Sequence, residues 1–353
     1  MTRVLLRLVL RWETLLIVAI VGGGIWSATL SEFFFTRINL LDLATPYVFI
    51  GLLAFGLTFV VIAGEIDISV TSILAVSVVS FAQLLDHGVN VWLATAAGLG
   101  VAAALGLVNG LLVGVLNLPS LAVTLGTLAA FQGLAFVILS GEGVAEFPQR
   151  YLSIGGGYSK QELPHALVLL VAAAFVLGLL LHATRFGRYL FAIGSNREAA
   201  HLSGVPASRV RVTVFVISGL MAGIAGIAYV GFFGSARADA AQGSLLDVVT
   251  AVVLGGVNIF GGAGTMVGVF LALILVAVLR NGMQLANVGG DTQNIVIGVL
   301  LLAAIAAGNL GRAIQDGSIS LARLGIRRRG VIRSDAKEAA IAMSVESQTP
   351  KGR

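Results

Sequence analysis

The sequence predicts an all-α, polytopic membrane protein of about ten transmembrane helices. Three observations carry this. Of 353 residues, 58% are hydrophobic and only 11% charged, whereas soluble domains average about 25% charged. Apolar blocks near the ~20 residues that span a ~30 Å hydrocarbon core recur from end to end. These blocks run continuously apolar and do not alternate apolar with polar residues, which argues against a β-barrel.

Taken in order, residues 1–13 place Arg3, Arg7 and Arg11 before an apolar run, as a signal sequence does. No persuasive A-x-A site follows, so 14–30 is read as a retained first helix and 1–13 as a cytoplasmic N-terminus. Further apolar segments lie at 46–63, 69–85, 92–116, 121–139, 165–182, 211–233, 246–260, 264–280 and 292–310. Segment 246–260 is short for a span and is expected to be tilted, broken or re-entrant. Together these make a transmembrane domain over 14–312. The stretch 313–353 is polar and basic (Arg327, Arg328, Arg329) and is expected to be a disordered or membrane-surface cytoplasmic tail.

Orientation follows from Lys and Arg, which concentrate on the cytoplasmic side. With the N-terminus inside, the inner segments hold all of the 22 Lys and Arg except Arg37, Arg150, Lys160, Arg237 and Arg280. Ten spans with both termini in the cytoplasm of a bacterial inner membrane satisfy this asymmetry. The 45 Gly also have a pattern. Gly106, Gly110 and Gly114, Gly219 and Gly223, and Gly264 and Gly268 recur at i, i+4, a spacing that lets helices approach closely in lipid.

Much chemistry is excluded. With no Cys there is no disulfide, thiolate nucleophile or thiolate metal site. His87, His165, His182 and His201 are scattered, with none at ligand spacing, so no metal is expected. None of Lys160, Lys337 and Lys351 lies in a Walker A setting, and Gly261-Gly262-Ala263-Gly264 misses the dinucleotide pattern because Val267 takes its last Gly position. The net charge of +5 arises where a membrane protein faces cytosol, so nucleic acid is not a partner. No cofactor and no catalysis by this chain alone are expected.

The polar residues that remain are candidates for function. Glu65 and Asp67 interrupt an apolar stretch, and a buried Asp costs about 2.5–3.5 kcal/mol on insertion scales. Either Asp67 or Ser69 caps the next helix from a cytoplasmic turn, or the group lines a translocation path or gate. Asn109 and Asn258 are single amides in or near apolar segments, suited to interhelical hydrogen bonds, ligand contact or gating. Arg237 and Asp239 fall in an outer loop. Between residues 183 and 210 lies a basic, Gly-punctuated island (Arg185, Gly187, Gly194, Arg197, Gly204). Asn196 is placed to cap a short helix over 196–202, with Glu198 in its first turn favouring the helix dipole. Gly194 and Gly204 are placed for tight turns at its ends.

Four stretches, in order over 46–310, resemble the sugar-type family of ABC importer permeases, the group of the ribose, xylose, rhamnose and autoinducer-2 permeases. They are Ala63-Gly64-Glu65-Ile66-Asp67-Ile68-Ser69-Val70, with Thr71 where the pattern has Gly; Asn109-Gly110 with Pro119 to Thr127; the central island; and Phe232 to Arg237 with Ala251 to Thr265. The resemblance implies a ten-helix, vitamin-B12-importer-like fold and a pair of permeases, identical or related. It also implies cytoplasmic ATPase subunits that bind the ATP and a periplasmic sugar-binding protein. It makes 183–210 the ATPase-coupling loop, with Arg185, Gly187, Gly194, Asn196, Glu198, Ala199 and Gly204 as coupling residues and Ala199 on the docked face. The stretch from Phe233 to Gly262 is nearest the rhamnose and autoinducer-2 branches. The competing readings are an ion-coupled secondary transporter, which calls for ionisable residues in mid-helix, and a passive channel, which needs no coupling island.

Overall fold

A computed structural model of the chain describes residues 12–139, 143–149, 151–152 and 165–315. The chain divides into two units, residues 1–306 and 307–353; of the second, only the end of the last helix is described. The N-terminal arginines and the expected tail beyond 315 lie outside the described residues.

The helices run in the order α1 (Trp12–Leu30), α2 (Arg37–Ala44), α3 (Tyr47–Ile62), α4 (Val70–Asp86), α5 (Val91–Gly114), α6 (Ser120–Ile138), α7 (His165–Ala183), α8 (Arg185–Ser195), α9 (Arg197–Leu202), α10 (Ala207–Phe233), α11 (Leu245–Leu254), α12 (Met266–Leu285) and α13 (Gly290–Gln315). Each apolar segment read from the sequence holds one of these helices, with bounds that agree closely except in 246–260, where the helix ends at Leu254. Among the described residues, 7 helices (α1, α5, α6, α7, α10, α12 and the start of α13) are long and apolar enough to cross a membrane. Helices α3, α4 and α11 are apolar but shorter. The molecule is an all-helical, polytopic membrane protein.

Helix α3 is apolar all round, and such a helix belongs in a core. Every one of its residues is buried, with α10, α11, α12 and α7 packed around it. Helices α1, α6 and α7 instead present large apolar side chains outward, among them Val18, Val137 and Phe175. Lipid tails are as apolar as leucine, so close packing holds such helices together rather than hydrophobic expulsion. The seam of α5 with α10 shows this. A Cβ on Gly106 would overlap the Phe215 carbonyl oxygen, and one on Gly219 would come 2.5 Å from the Ala102 carbonyl oxygen. The expected pairing of Gly264 with Gly268 on one helix does not form. Gly264 lies in the loop before α12 at φ +155, and Gly268 lies against the Gly255 carbonyl, because Thr265 caps α12 and starts it only at Met266.

The short segment 246–260 is helical only through Leu254, 10 residues or about 15 Å at 1.5 Å per residue. Gly255 and Gly256, the latter at φ +82, turn the chain into the glycine-rich loop that precedes α12.

Candidate functional site

The site begins where α3 stops. Gly64 takes φ +76, its N–H and that of Glu65 close on the Val61 and Val60 carbonyls at 2.9 and 3.1 Å, and residues 65–69 lead into α4 without regular structure. Non-helical backbone in a helical membrane protein needs partners. The start of α6 supplies them. The Ser120 hydroxyl accepts the Ile66 N–H at 3.1 Å, and the Thr124 hydroxyl donates to the Ile66 carbonyl at 3.2 Å.

Glu65 is 5% exposed and accepts from two guanidiniums, Arg197 at the start of α9 and Arg211 on α10, the latter at 3.4 Å. Arg211 also donates to the Gly114 carbonyl at 3.0 Å and to Asn117. One buried carboxylate therefore joins α3, α9, α10 and the α5–α6 turn.

Asp67, 1% exposed, begins a second polar run. Its Oδ1 accepts the Ser69 N–H at 3.0 Å and the Ser69 hydroxyl at 2.6 Å, while Oδ2 accepts the Ser218 hydroxyl of α10 at 3.0 Å. Asn109 of α5 donates to the Ser69 hydroxyl at 2.8 Å. Donors and acceptors thus follow one direction, from Asn109 through Ser69 to Asp67, an arrangement in which each bond polarises the next. The simple cap expected from the sequence is not what forms. Ser69 precedes α4 without a side-chain cap bond, and Asp67 makes a local turn on Ser69 while reaching across to α10. The turn is also not a solvated one, because α6 and α10 cover it.

The island is two helices, not one. Thr184 caps α8 by accepting the Gly187 N–H at 3.3 Å, and Gly187, Leu190 and Ile193 form its buried face. Asn196, at φ −160 and ψ 105, ends α8 and caps α9, accepting the Ala199 N–H at 2.9 Å. Glu198 lies in the first turn of α9. Gly204 follows α9 at φ +79, the turn position that favours glycine. Gly194 has a different reason to be glycine from the one the sequence suggested. It is helical, inside α8, and a Cβ there would overlap the Ile62 carbonyl oxygen and the Gly262 nitrogen. Close approach of backbones, not a turn, excludes a side chain.

Gly261 and Gly262 complete the contact from the loop after α11. A Cβ on Gly261 would come 2.8 Å from Gly64 Cα, and one on Gly262 2.9 Å from Ser195 Cα. The Gly262 N–H donates to the Ile62 carbonyl at 2.9 Å. Asn258 shapes this loop, donating to the Gly261 carbonyl at 2.8 Å and accepting the Phe260 N–H at 3.2 Å. Three backbones, the end of α3, the end of α8 and the glycine loop, therefore meet without intervening side chains.

Of the residues singled out from the sequence, Glu65, Asp67, Ser69 and Asn109 converge, and Gly194 and Asn258 hold the adjoining backbone junction. Gly187 packs against the Leu181 carbonyl. Arg185, Glu198 and Ala199 are exposed. The roles of Arg197 and Arg211 at Glu65, of Ser120 and Thr124 at Ile66, and of Ser218 at Asp67 were missed. Arg211 lies at the edge of an apolar segment, a signal for a buried cation, whereas its pairing across 146 residues is invisible in the sequence. At the other end of α11, Arg280 donates to Asp247 at 2.6 Å and to Asn294 at 2.9 Å. In the α10–α11 loop, Arg237 grips Asp239 at 2.8 and 3.0 Å, and that bond holds the Asp239 carboxyl below its ordinary value.

A family described as branched-chain amino acid transport system / permease component matches residues 39–305. The autoinducer 2 import system permease protein LsrD of Photorhabdus temperata is 34% identical over 286 residues, covering 79% of this chain and 84% of that protein. The L-arabinose transport system permease protein AraH of Escherichia coli (strain K12) is 36% identical over 273 residues, 77% of this chain and 83% of that protein. The ribose import permease protein RbsC of Bacillus subtilis (strain 168) is 36% identical over 278 residues, 78% and 86% respectively. No solved structure matches the chain.

Proposed function

From the premise that the chain belongs to this permease family, and within it to the sugar-type ABC importer permeases, we propose that it moves a sugar or sugar-like solute across the inner membrane by alternating access. It hydrolyses nothing itself. A cytoplasmic ATP-binding subunit supplies the energy, a periplasmic binding protein delivers the solute, and a second permease, identical or related, completes the pathway. In this reading α3, α4 and α11 join the seven longer helices to make ten membrane segments in a vitamin-B12-importer-like arrangement. Both termini and the α8–α9 island then lie in the cytoplasm. Relatives named for autoinducer 2, L-arabinose and ribose support the sugar class. Within it, the stretch from Phe233 to Gly262 favours the rhamnose and autoinducer-2 branches.

One observation carries the mechanism. The exposed helix α9 is tied by Arg197 to Glu65, and through Glu65 to Arg211 on the membrane helix α10. Gly194, at the end of α8, lies in backbone contact with Ile62 and Gly262. A push on α9 by a docked ATPase would pass through the Arg197–Glu65–Arg211 cluster and the packed backbone junction at Gly194 into the 64–69 segment. Asp67 and Ser69 then change their position relative to Ser218 on α10, which is the movement a gate requires. Permease, ATPase and binding protein reconstituted together should import a neutral sugar only with ATP. Uptake driven by an ion gradient without ATP would overturn the reading in favour of a secondary transporter.

A further inference from the structure

Between α3, α11 and α13 lies a cavity of about 190 Å³. Leu57 and Val61 of α3, Val252 and Val253 of α11, and Leu301 and Ile305 of α13 face it, and ten of the eleven described residues on its wall are Leu, Val or Ile. The eleventh, Asp67, has its carboxylate bonded to Ser69 and Ser218. Water needs several polar partners in such a space, and these walls do not provide them. An apolar cavity of about 150 Å³ stays dry and takes benzene. Left unfilled, it forfeits the dispersion contacts of its lining. The space therefore fits a hydrocarbon.

Its position says where the hydrocarbon comes from. Near its start, α13 is joined to α12, where Asn294 accepts from Arg280 at 2.9 Å. Further along, Leu301 and Ile305 face the cavity, while Ile295, Val299 and Leu302 form an exposed apolar stripe. Bilayer chains that cover this stripe reach the cavity past Leu301 and Ile305, which are only partly buried. A helix of a neighbouring subunit is about 10 Å across and cannot enter a space of this volume, whereas a single alkyl chain can. We propose that the cavity takes the end of an acyl chain of a bilayer phospholipid. The chain lies on Leu57, Val252 and Val253 and abuts Ile66 and Ile68, which flank Asp67 and also line the wall. Bilayer hydrocarbon thus packs directly on the 64–69 segment. The inference needs only the membrane fold and stands apart from the importer reading.

The full-length permease, reconstituted in nanodiscs of phosphatidylglycerol with a diazirine near the end of one acyl chain, is irradiated, and the labelled residues are located by mass spectrometry. Every residue of α11 is buried or partly buried, and Val252 and Val253 are 0% and 9% exposed, so lipid reaches these two only through the cavity. Both the outer stripe of α13 and Val252 or Val253 should be labelled. Val253→Phe and Leu301→Phe fill the space from opposite walls. Each should lower labelling of α11 by about tenfold, because a close-packed interior has no room for side chain and lipid together, and leave the outer stripe labelled as before. Unlabelled Val252 and Val253 beside a labelled outer stripe overturn the site. Equal labelling of α11 in the wild type and both Phe variants overturns the cavity as the place where the chain lies. Labelling of α11 in the monomeric permease but not in the dimer makes a second copy the occupant and overturns the lipid.

Discussion

Arg197→Gln and Arg211→Gln each take one cation from Glu65, yet the geometry makes their consequences unequal. The Arg211 side chain is 5% exposed and that of Arg197 50%. Breaking a buried pair costs about 3–5 kcal/mol because it strands a charge away from water. An exposed pair contributes about 0–1 kcal/mol. In Arg211→Gln, Glu65 keeps Arg197, so the low end, about 3 kcal/mol, applies. At roughly 2 °C per kcal/mol, the value for large domains, melting of the detergent-solubilised permease should fall by about 6 °C in R211Q and by 2 °C or less in R197Q. Function should not follow stability. R197Q cuts the tie between α9 and the 64–69 segment, so uptake should fall by tenfold or more while the folded permease still co-purifies with its ATPase. Thermal size-exclusion profiles, co-purification and uptake measure the three quantities. Equal melting losses in the two variants would refute the burial argument. Wild-type uptake by R197Q would refute the route from α9 through Glu65.

Gly194→Ala should abolish uptake, since even a methyl meets the Ile62 carbonyl, whereas Gly204→Ala, at φ +79 with open space around it, should cost only about 1–2 kcal/mol of local strain and leave uptake within about twofold; the reverse order would refute the backbone junction. Ala199→Glu, on the exposed side of α9, should leave the permease in the membrane and lose the ATPase on co-purification, and full retention would refute docking through α9. A membrane-impermeant thiol reagent added to intact cells should label Gln242→Cys in the α10–α11 loop and spare Ser203→Cys beside α9; labelling of the latter would invert the orientation. The purified chain alone should hydrolyse no ATP, and robust turnover by it would refute a non-catalytic subunit.

The helices were legible because the bilayer imposes a length and a composition that few other structures share. Even the exception was legible. Segment 246–260 read as too short for a span, and the helix there stops at Leu254 where Gly255 and Gly256 begin. The α8–α9 pair was only partly legible. Asn196 announced a helix start, but the sequence did not reveal that the same residue ends another helix. The glycines misled for a physical reason. A glycine needed for positive φ and one needed for backbone contact are the same letter, so Gly204 and Gly194 looked alike until the chain was folded.

The buried ion cluster marks where the reading by charge runs out, and why. Counting Lys and Arg on each side of the membrane treats every cation as solvated, so Arg211 was counted simply as an inner-side charge. Two facts in the sequence together argue otherwise. Glu65 lies in an apolar stretch and requires a counter-charge, because an uncompensated buried carboxylate is costly. Arg211, just past the island, opens an apolar segment rather than a polar loop, so folding draws its guanidinium inward with α10. Together they call for a buried cation and offer Arg211 as a candidate, although the pairing itself appears only in the fold. The half-exposed Arg197 follows from neither, since nothing local distinguishes it from Arg185 or Arg188. Only the fold brings α9 across the end of α3, so the residue on which the proposed coupling most depends is the one that the sequence could not single out.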